Sequence, residues 1–351
     1  MIRRAELIHK RYEVKHGDLL MTRANTEELV GFACVAQQPP PRLLLSDKTL
    51  RLHVDTTVAE PEFIALALGQ LAARQRIRAL ATGTSAGMKN ISQEQIRQLP
   101  VPDVALGEQR RIVAAHAAFE RRIAGLERVR NKLRVATNAV VGRALDVPHQ
   151  VTLGSWIDRI EAGRSPLATD TPAGEGEWGV LKVSAVQAGG FVAQENKVVR
   201  ERLHIDPAYE VARGDLLMTR ANTEELVGLA CVVDAPTRRL MLSDKTLRLV
   251  PDANVADAEF IALVLSSPAV RSQIKVAATG TSASMKNISQ EAIRALLVPD
   301  VHKGEQSRTV SVLRAARRRE ALLKQRIIKL RTIQQAVVED LLGGRAPVSA
   351  A

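Results

Sequence analysis

Apolar residues in this chain fall into short runs and long stripes, and the two spacings predict different elements. Asp215–Arg220, Leu226–Val233 and Thr246–Val250 are brief runs rich in Leu and Val, bounded by turn residues, and Trp178–Val186 is another; each predicts a strand. Ala256–Ala277 carries an amphipathic pattern and predicts a helix. A Gly-Thr-Ser loop follows, then a short helix opened by Ser289-Gln290-Glu291-Ala292 and a short apolar strand ending at Pro299. The corresponding places in the first half read Ser92-Gln93-Glu94-Gln95, a capping-box pattern, and Pro102.

Two long stripes close the halves, Glu108–Leu145 and Glu305–Leu342. In the first, Ile112, Phe119, Leu126, Leu133 and Val140 fall seven residues apart. In the second, Ala316, Leu323, Leu330 and Val337 do the same, with Leu313, Ile327 and Ile333 broadening the stripe. Sustained heptad spacing predicts a coiled-coil seam. At 1.5 Å per residue each helix would span roughly 57 Å, more than a compact domain buries. That length favours pairing the two helices as an antiparallel spacer over packing each on its own domain.

The two halves are copies. EVKHGDLLMTRANTEELVG at Glu13–Gly31 recurs at Glu210–Gly228 with 17 identities in 19, an offset of 197. The same offset carries LSDKTLRL from Leu45–Leu52 to Leu242–Leu249, and TGTSAGMKNISQE from Thr82–Glu94 to Thr279–Glu291 with 12 identities in 13. A period this long makes each repeat a whole domain plus an appendage. The expected organisation is α+β: a mixed α/β domain over 1–106, a long helix over 107–146, a second mixed domain over 147–303, a second long helix over 304–344 and a disordered tail over 345–351. Because Met1 falls where Val198 falls in the second copy, the opening that begins near Val151 has no counterpart in the first, and the first domain is expected to be shortened at its N-terminus.

Composition narrows the function. Net charge is +12, from 50 Lys and Arg against 38 Asp and Glu, which favours a polyanionic partner. The acids Glu27-Glu28 and Glu224-Glu225 are interleaved with the bases and no polybasic cluster stands apart, which argues against a membrane surface as that partner. Aromatic residues are only 3%, too few for stacking platforms. No run of ~18 apolar residues and no signal-peptide core is present, so a cytoplasmic protein is expected. Two cysteines make neither a disulfide framework nor a four-ligand zinc site.

The duplication acts as an internal control, because chemistry essential to each half should occur twice. None of the seven histidines does, which argues against histidine acid–base chemistry or a metal site. Gly83-Thr84-Ser85-Ala86-Gly87 matches a nucleophile elbow by letter, but the second copy has Ser284 in place of the last glycine. Pro102-Asp103 with Glu108-Gln109-Arg110 fails as a nuclease pattern, since the lysine position is Arg110 in one copy and Ser307 in the other. A non-catalytic chain with no cofactor or metal of its own is the expectation. What does repeat suits base edges and phosphates: Thr22, Arg23 and Asn25 with Thr219, Arg220 and Asn222; Lys48 with Lys245; Thr82, Thr84, Ser85, Lys89 and Asn90 with Thr279, Thr281, Ser282, Lys286 and Asn287. Arginine can bind guanine O6 and N7 bidentately and asparagine can do the same on adenine, while hydroxyls, backbone N–H groups and lysine suit phosphates. Each cluster would also serve as a turn or cap inside the domain.

GDLLMTRAN, a TGTS…KNIS loop, a strand ending in VPD and then GEQ opening a long helix, all present twice, resemble the specificity (S) subunit of type I restriction–modification systems. The resemblance implies two target-recognition domains, each reading one half of a split site in double-stranded DNA. It implies an antiparallel helical spacer that docks two modification (methyltransferase) subunits, which use S-adenosylmethionine, and a core that restriction subunits join. It also implies that the chain has no active site. Near-identical reading segments, related by an antiparallel spacer, should read the same bases as an inverted repeat. The alternative is a truncated remnant that only scaffolds modification subunits.

Overall fold

The computed structural model describes residues 10–85, 87–234, 239–282 and 285–343. They form two compact units, 1–130 with 322–351 and 131–321. The expected tail at 345–351 and Ala86 lie outside the described residues.

The first unit contains β1 (Leu19–Thr22), β2 (Ala24–Asn25), β3 (Ala33–Val35), β4 (Thr49–Leu52), α1 (Pro61–Gly69), α2 (Leu71–Leu80), β5 (Thr82–Ser85), β6 (Met88–Asn90) and α3 (Gln93–Arg97). Long helix α4 (Leu106–Leu145) begins in it and ends in the second unit. The second unit continues with β7 (His149–Thr152), β8 (Ile157–Ala162), β9 (Trp178–Leu181), β10 (Val186–Gln187), β11 (Gly190–Phe191), β12 (Asn196–Val199), β13 (Leu216–Thr219), β14 (Ala221–Asn222), β15 (Ala230–Val232), β16 (Leu240–Met241) and β17 (Thr246–Pro251). It then adds α5 (Ala258–Leu265), α6 (Pro268–Ala277), β18 (Thr279–Ser282), β19 (Met285–Asn287), α7 (Gln290–Ala295), β20 (Leu297–Pro299) and the start of α8 (Lys303–Leu342).

Each copy builds one antiparallel sheet in the same register: β3-β1-β4 in the first, with Leu20 opposite Cys34 and Arg51, and β15-β13-β17 in the second, with Leu217 opposite Cys231 and Arg248. Strand alternation sends Met218, Leu247 and Leu249 into a core with Phe260, Val264 and Ile274, and sends Leu217 and Cys231 to the other face. Among the described residues only the second copy extends the sheet, with β8 pairing on the outer edge of β17. The additional strands β12-β9-β16 form a separate small sheet there.

Three expectations need correction. The predicted helix Ala256–Ala277 is two helices, broken at Ser266–Ser267, because Ser267 caps the second and Pro268 takes its first position, where a missing N–H costs nothing. The predicted strand Leu226–Val233 is paired only over Ala230–Val232, because Leu226–Leu229 is held as a loop by Thr219. The strand ending at Pro299 pairs with β7, whereas the stretch ending at Pro102 has no strand partner among the described residues. The capping box forms as predicted: Gln95 N–H donates to Ser92 Oγ (3.1 Å) and Ser92 N–H to Gln95 Oε1 (2.8 Å).

Within the first unit the two long helices run antiparallel. Gln334 Nε2 donates to Glu120 Oε1 (2.7 Å) and Arg331 Nη2 to Glu127 Oε1 (3.0 Å), so one number falls as the other rises. Of the predicted seam, Ile112 and Leu323 are buried, and Phe119, Leu126, Leu133, Val140, Leu330 and Val337 are half-buried. Ile123, Ile327 and Gln334, each one turn on from a predicted position, are buried as well. The seam therefore alternates steps of four and three residues. Ile333 stands outside it, exposed.

Each long helix is joined to its domain by a buried glutamine. Gln306 accepts from Asp257 N–H (3.1 Å) and donates to Val255 O (3.1 Å) and Val301 O (2.8 Å). Gln109 repeats the arrangement with Glu60 N–H, Val58 O and Val104 O. The GEQ sequence is thus a structural joint, in which one amide satisfies three backbone groups.

On the second unit's sheet, Glu161 meets Arg159 (2.7 Å) and Arg248 (2.8 Å). Burial alone would raise its carboxyl, but hydrogen bonds from Arg159 and Arg248 outweigh it and hold the group below its ordinary 4.5. A depressed carboxylate contributes stability that is present above the unfolded value and is lost as pH falls through the folded one. Glu161→Gln should therefore cost stability at pH 7 and little at about pH 3. Urea unfolding followed by tryptophan fluorescence reads this directly, because both tryptophans, Trp156 and Trp178, lie in the second unit.

Candidate nucleic-acid interface

The repeated polar segments, some sixty residues apart in sequence, meet in one small sheet in each copy. In the first, β2-β6-β5 places Ala24 opposite Asn90, Asn25 opposite Lys89, and Thr82 opposite Asn90. In the second, β14-β19-β18 repeats this with Ala221 and Thr279 opposite Asn287 and with Asn222 opposite Lys286. The lysine turn joins the same cluster through its backbone: Arg23 N–H donates to Lys48 O and Arg220 N–H to Lys245 O, both at 2.8 Å. Arg23, Lys48, Thr82 and Asn90 are exposed on it, as are Arg220, Lys245, Thr279, Ser282 and Asn287. The side chains of Thr84, Ser85 and Thr281 lie outside the described residues.

The sheet is bent by a glycine. Gly83 and Gly280 both have φ of +144°, and a Cβ there would come within 2.3 and 2.2 Å of the Met88 and Met285 carbonyl oxygens. Strand register shifts at this point in both copies, as expected for a bulge that re-aims the tip. Lys89 Nζ donates to Gly83 O and Lys286 Nζ to Gly280 O, each 3.0 Å, which staples the bulge and leaves each half-buried ammonium with further donors.

Asn25 and Asn222 each accept the next residue's N–H on Oδ1 at 2.8 Å. That fixes the side chain while leaving one lone pair and both Nδ2 hydrogens, the set that adenine recognition uses. Thr22 and Thr219 behave differently from the expectation. The Thr219 hydroxyl donates to Leu226 O (2.7 Å) and accepts from Leu229 N–H (3.0 Å), and the residue is wholly buried. Thr22 makes the same bonds to Leu29 and Phe32. Both are loop clamps, each spending its one hydroxyl donor and one of its two lone pairs on the loop backbone.

Two arginines that the sequence pattern did not single out complete the loop. Arg271 of α6 donates to Val227 O (2.7 Å) and Glu225 O (3.0 Å), and Arg74 of α2 donates to Glu28 O (2.7 Å). Burial lowers both guanidinium values, an indication that they are tucked under the loop. The cue was present in the repeat, since Arg74 and Arg271 correspond at the same offset of 197, but an arginine on a helix flank carries no motif.

On the first unit's helix pair, Leu126, Leu330 and Ile333 floor a groove rimmed by Arg122, Arg326 and Lys329. Among the described residues no cluster of metal-ligating side chains occurs, and no helix is long and apolar enough to cross a membrane.

No family model matches the chain. The type I restriction enzyme EcoEI specificity subunit of Escherichia coli is 36% identical over 143 residues, 40% of this chain. The match spans 24% of that curated relative's length. The type I restriction–modification system S subunit from M. genitalium superposes with a TM-score of 0.57 at 14% identity, over 97% of this chain and 85% of that one. A chain from a structure of complex assembly and conformational transition of the type I restriction–modification system gives 0.53 at 18% identity, over 95% and 83%. The mixed α/β fold with two long helices is that of a solved specificity subunit, and the family resemblance read from the motifs is borne out by the sequence relative.

Proposed function

We propose that this chain is the DNA sequence-recognition subunit of a type I restriction–modification complex and is itself non-catalytic. Each small polar sheet reads one half of a bipartite site, with Arg23, Asn25 and Asn90, or Arg220, Asn222 and Asn287, on base edges and Lys48, Lys89, Lys245 and Lys286 on phosphates. The paired helices dock two modification subunits, which bring S-adenosylmethionine and methylate the DNA, and restriction subunits join that core. The basic-rimmed, apolar-floored groove at Leu126, Leu330 and Ile333 is suited to such a partner. Since the two reading sets are near-identical and the helices antiparallel, the target is a near-palindrome with a non-specific gap. The observation that carries the reading is the convergence, twice, of exposed arginine, lysine, threonine and asparagine from distant segments on one bent sheet.

The test is co-expression with a modification subunit, methylation of random-sequence DNA and sequencing of the modified sites. An inverted repeat supports the reading; two unrelated half-sequences refute the near-palindrome. Within that assay Arg220→Ala should cost about 1–3 kcal/mol and relax one base position of a half-site. A uniform loss across all sequences, with a flatter salt dependence, would instead place Arg220 on phosphate. The sheet of the first copy, with three strands among the described residues against four in the second, favours one other reading, a scaffold in which only the second domain binds DNA. A single selected half-site would identify it.

A further inference from the structure

The two copies share their sheet residues but not what covers them. In the second unit β8 pairs along the outer edge of β17, with Glu161 opposite Arg248 and Ile160 opposite Leu249. Leu181, Ala185 and Val186 seal the sheet face that carries Leu217, Cys231 and Leu242. In the first unit β4 pairs only with β1 among the described residues. The residues matching the sealed face are open: Leu20 and Leu45 are half-buried and Cys34 is exposed, and Leu43 is 42% exposed where Leu240 is 7%. The opposite face keeps its core of Met21, Val30, Leu68 and Ile77. Arg248 holds two carboxylates, Asp215 and Glu161; Arg51 keeps the first, Asp18 at 2.9 Å, and in place of the second its Nη1 donates to Arg11 O.

We propose that the β4 edge and the Leu20–Cys34 face of the first unit are a docking site for a polypeptide segment built like residues 151–199. That segment is a strand that places a carboxylate opposite Arg51, followed by an apolar layer over Leu20, Cys34 and Leu45. An open edge flanked by apolar side chains accepts a strand through its unpaired backbone groups. The occupant's chemistry follows from the second copy, where the LSDKTLRL acceptor strand is identical and its cover is in place. A second copy of this chain is a poorer donor, because its own 151–199 segment is already packed on its own second unit.

Cys34 is the reporter. Cys231, its buried counterpart, has a thiol pushed up to about 11 by burial, so a thiol reagent at neutral pH reads Cys34 first. The probe is a polypeptide of this chain's own residues 147–201, added to the full chain. Cys34 labelling should slow about tenfold or more at saturation, and a probe carrying E161K, which sets a lysine against Arg51, should not protect. Unchanged labelling at every probe concentration overturns the proposal. Joining residues 151–197 ahead of Met1 provides a second arm, since it places the cover in register by covalent connection. Unchanged labelling in that fusion overturns the proposal as well.

Discussion

Gly280→Ala is expected to weaken binding of the second half-site about 100-fold, corresponding to about 3 kcal/mol of backbone strain and steric conflict, while the rest of the domain stays folded. The φ of +144° at Gly280 is a conformation that residues with a Cβ avoid, and the added carbon would stand 2.2 Å from the Met285 carbonyl oxygen. Relief requires β18 and β19 to part, which undoes the pairing that sets Asn222 and Lys286 side by side. The Lys286 staple to Gly280 O goes with it. Hydrogen exchange should show lost protection over 279–287 with the β13–β17 ladder intact, and Gly83→Ala should do the same to the first copy. Gly87→Ser is the control: a Cβ there meets nothing within 4 Å and the second copy already has Ser284, so it should leave binding unchanged. Loss of the whole tryptophan unfolding transition in Gly280→Ala would show instead that the small sheet is part of the domain core.

Periodicity made most of the scaffold legible. Strands of alternating or continuous Leu and Val, the heptad stripe and the Ser92 capping box are local signals, and local signals survive in sequence. The break at Ser267 was not legible by pattern, since both sides of it carry one amphipathic stripe; only Pro268 marked it. Gln334 escaped because a seam scored on apolar residues has no place for an amide bonded across it to Glu120. The site divides the same way. Duplication picked out its members, but their convergence depends on β2 meeting β6, a pairing between segments more than sixty residues apart, with no local cue. Thr219 resembled a groove contact because its partners, Leu226 O and Leu229 N–H, are backbone atoms that no motif records. The open face of the first unit was visible in sequence as a missing counterpart, but its energetic meaning needed the burial of Leu217 and Cys231 beside it.

Arg248→Met should lower the second unit's stability by about 3 kcal/mol, the low end for removing one member of a buried charge cluster. The low end applies because Glu161 and Asp215 retain 28% and 20% of their side-chain exposure. Arg248 binds Asp215 Oδ2 (2.9 Å) and Glu161 Oε2 (2.8 Å) and donates to the Glu210 carbonyl, tying β17 to β8 and to the segment entering β13. Methionine keeps most of the stem's packing but leaves two carboxylates facing each other on one sheet face. At about 2 kcal/mol per molar urea the midpoint seen by tryptophan fluorescence should fall by about 1.5 M. Arg51→Met should leave that signal almost unmoved, because both tryptophans belong to the second unit. The pH dependence separates charge from packing. Without Arg248, Glu161 loses one of the two groups that hold its carboxyl down against burial, so part of the lost stability is restored as acid protonates it, and the gap between wild type and variant should narrow from pH 7 toward about pH 4. A gap that stays constant over that range would mean the arginine stem, and not its charge, holds β8 to the sheet. In that case Glu161 would no longer be the residue that an occupant of the first unit's open edge has to supply.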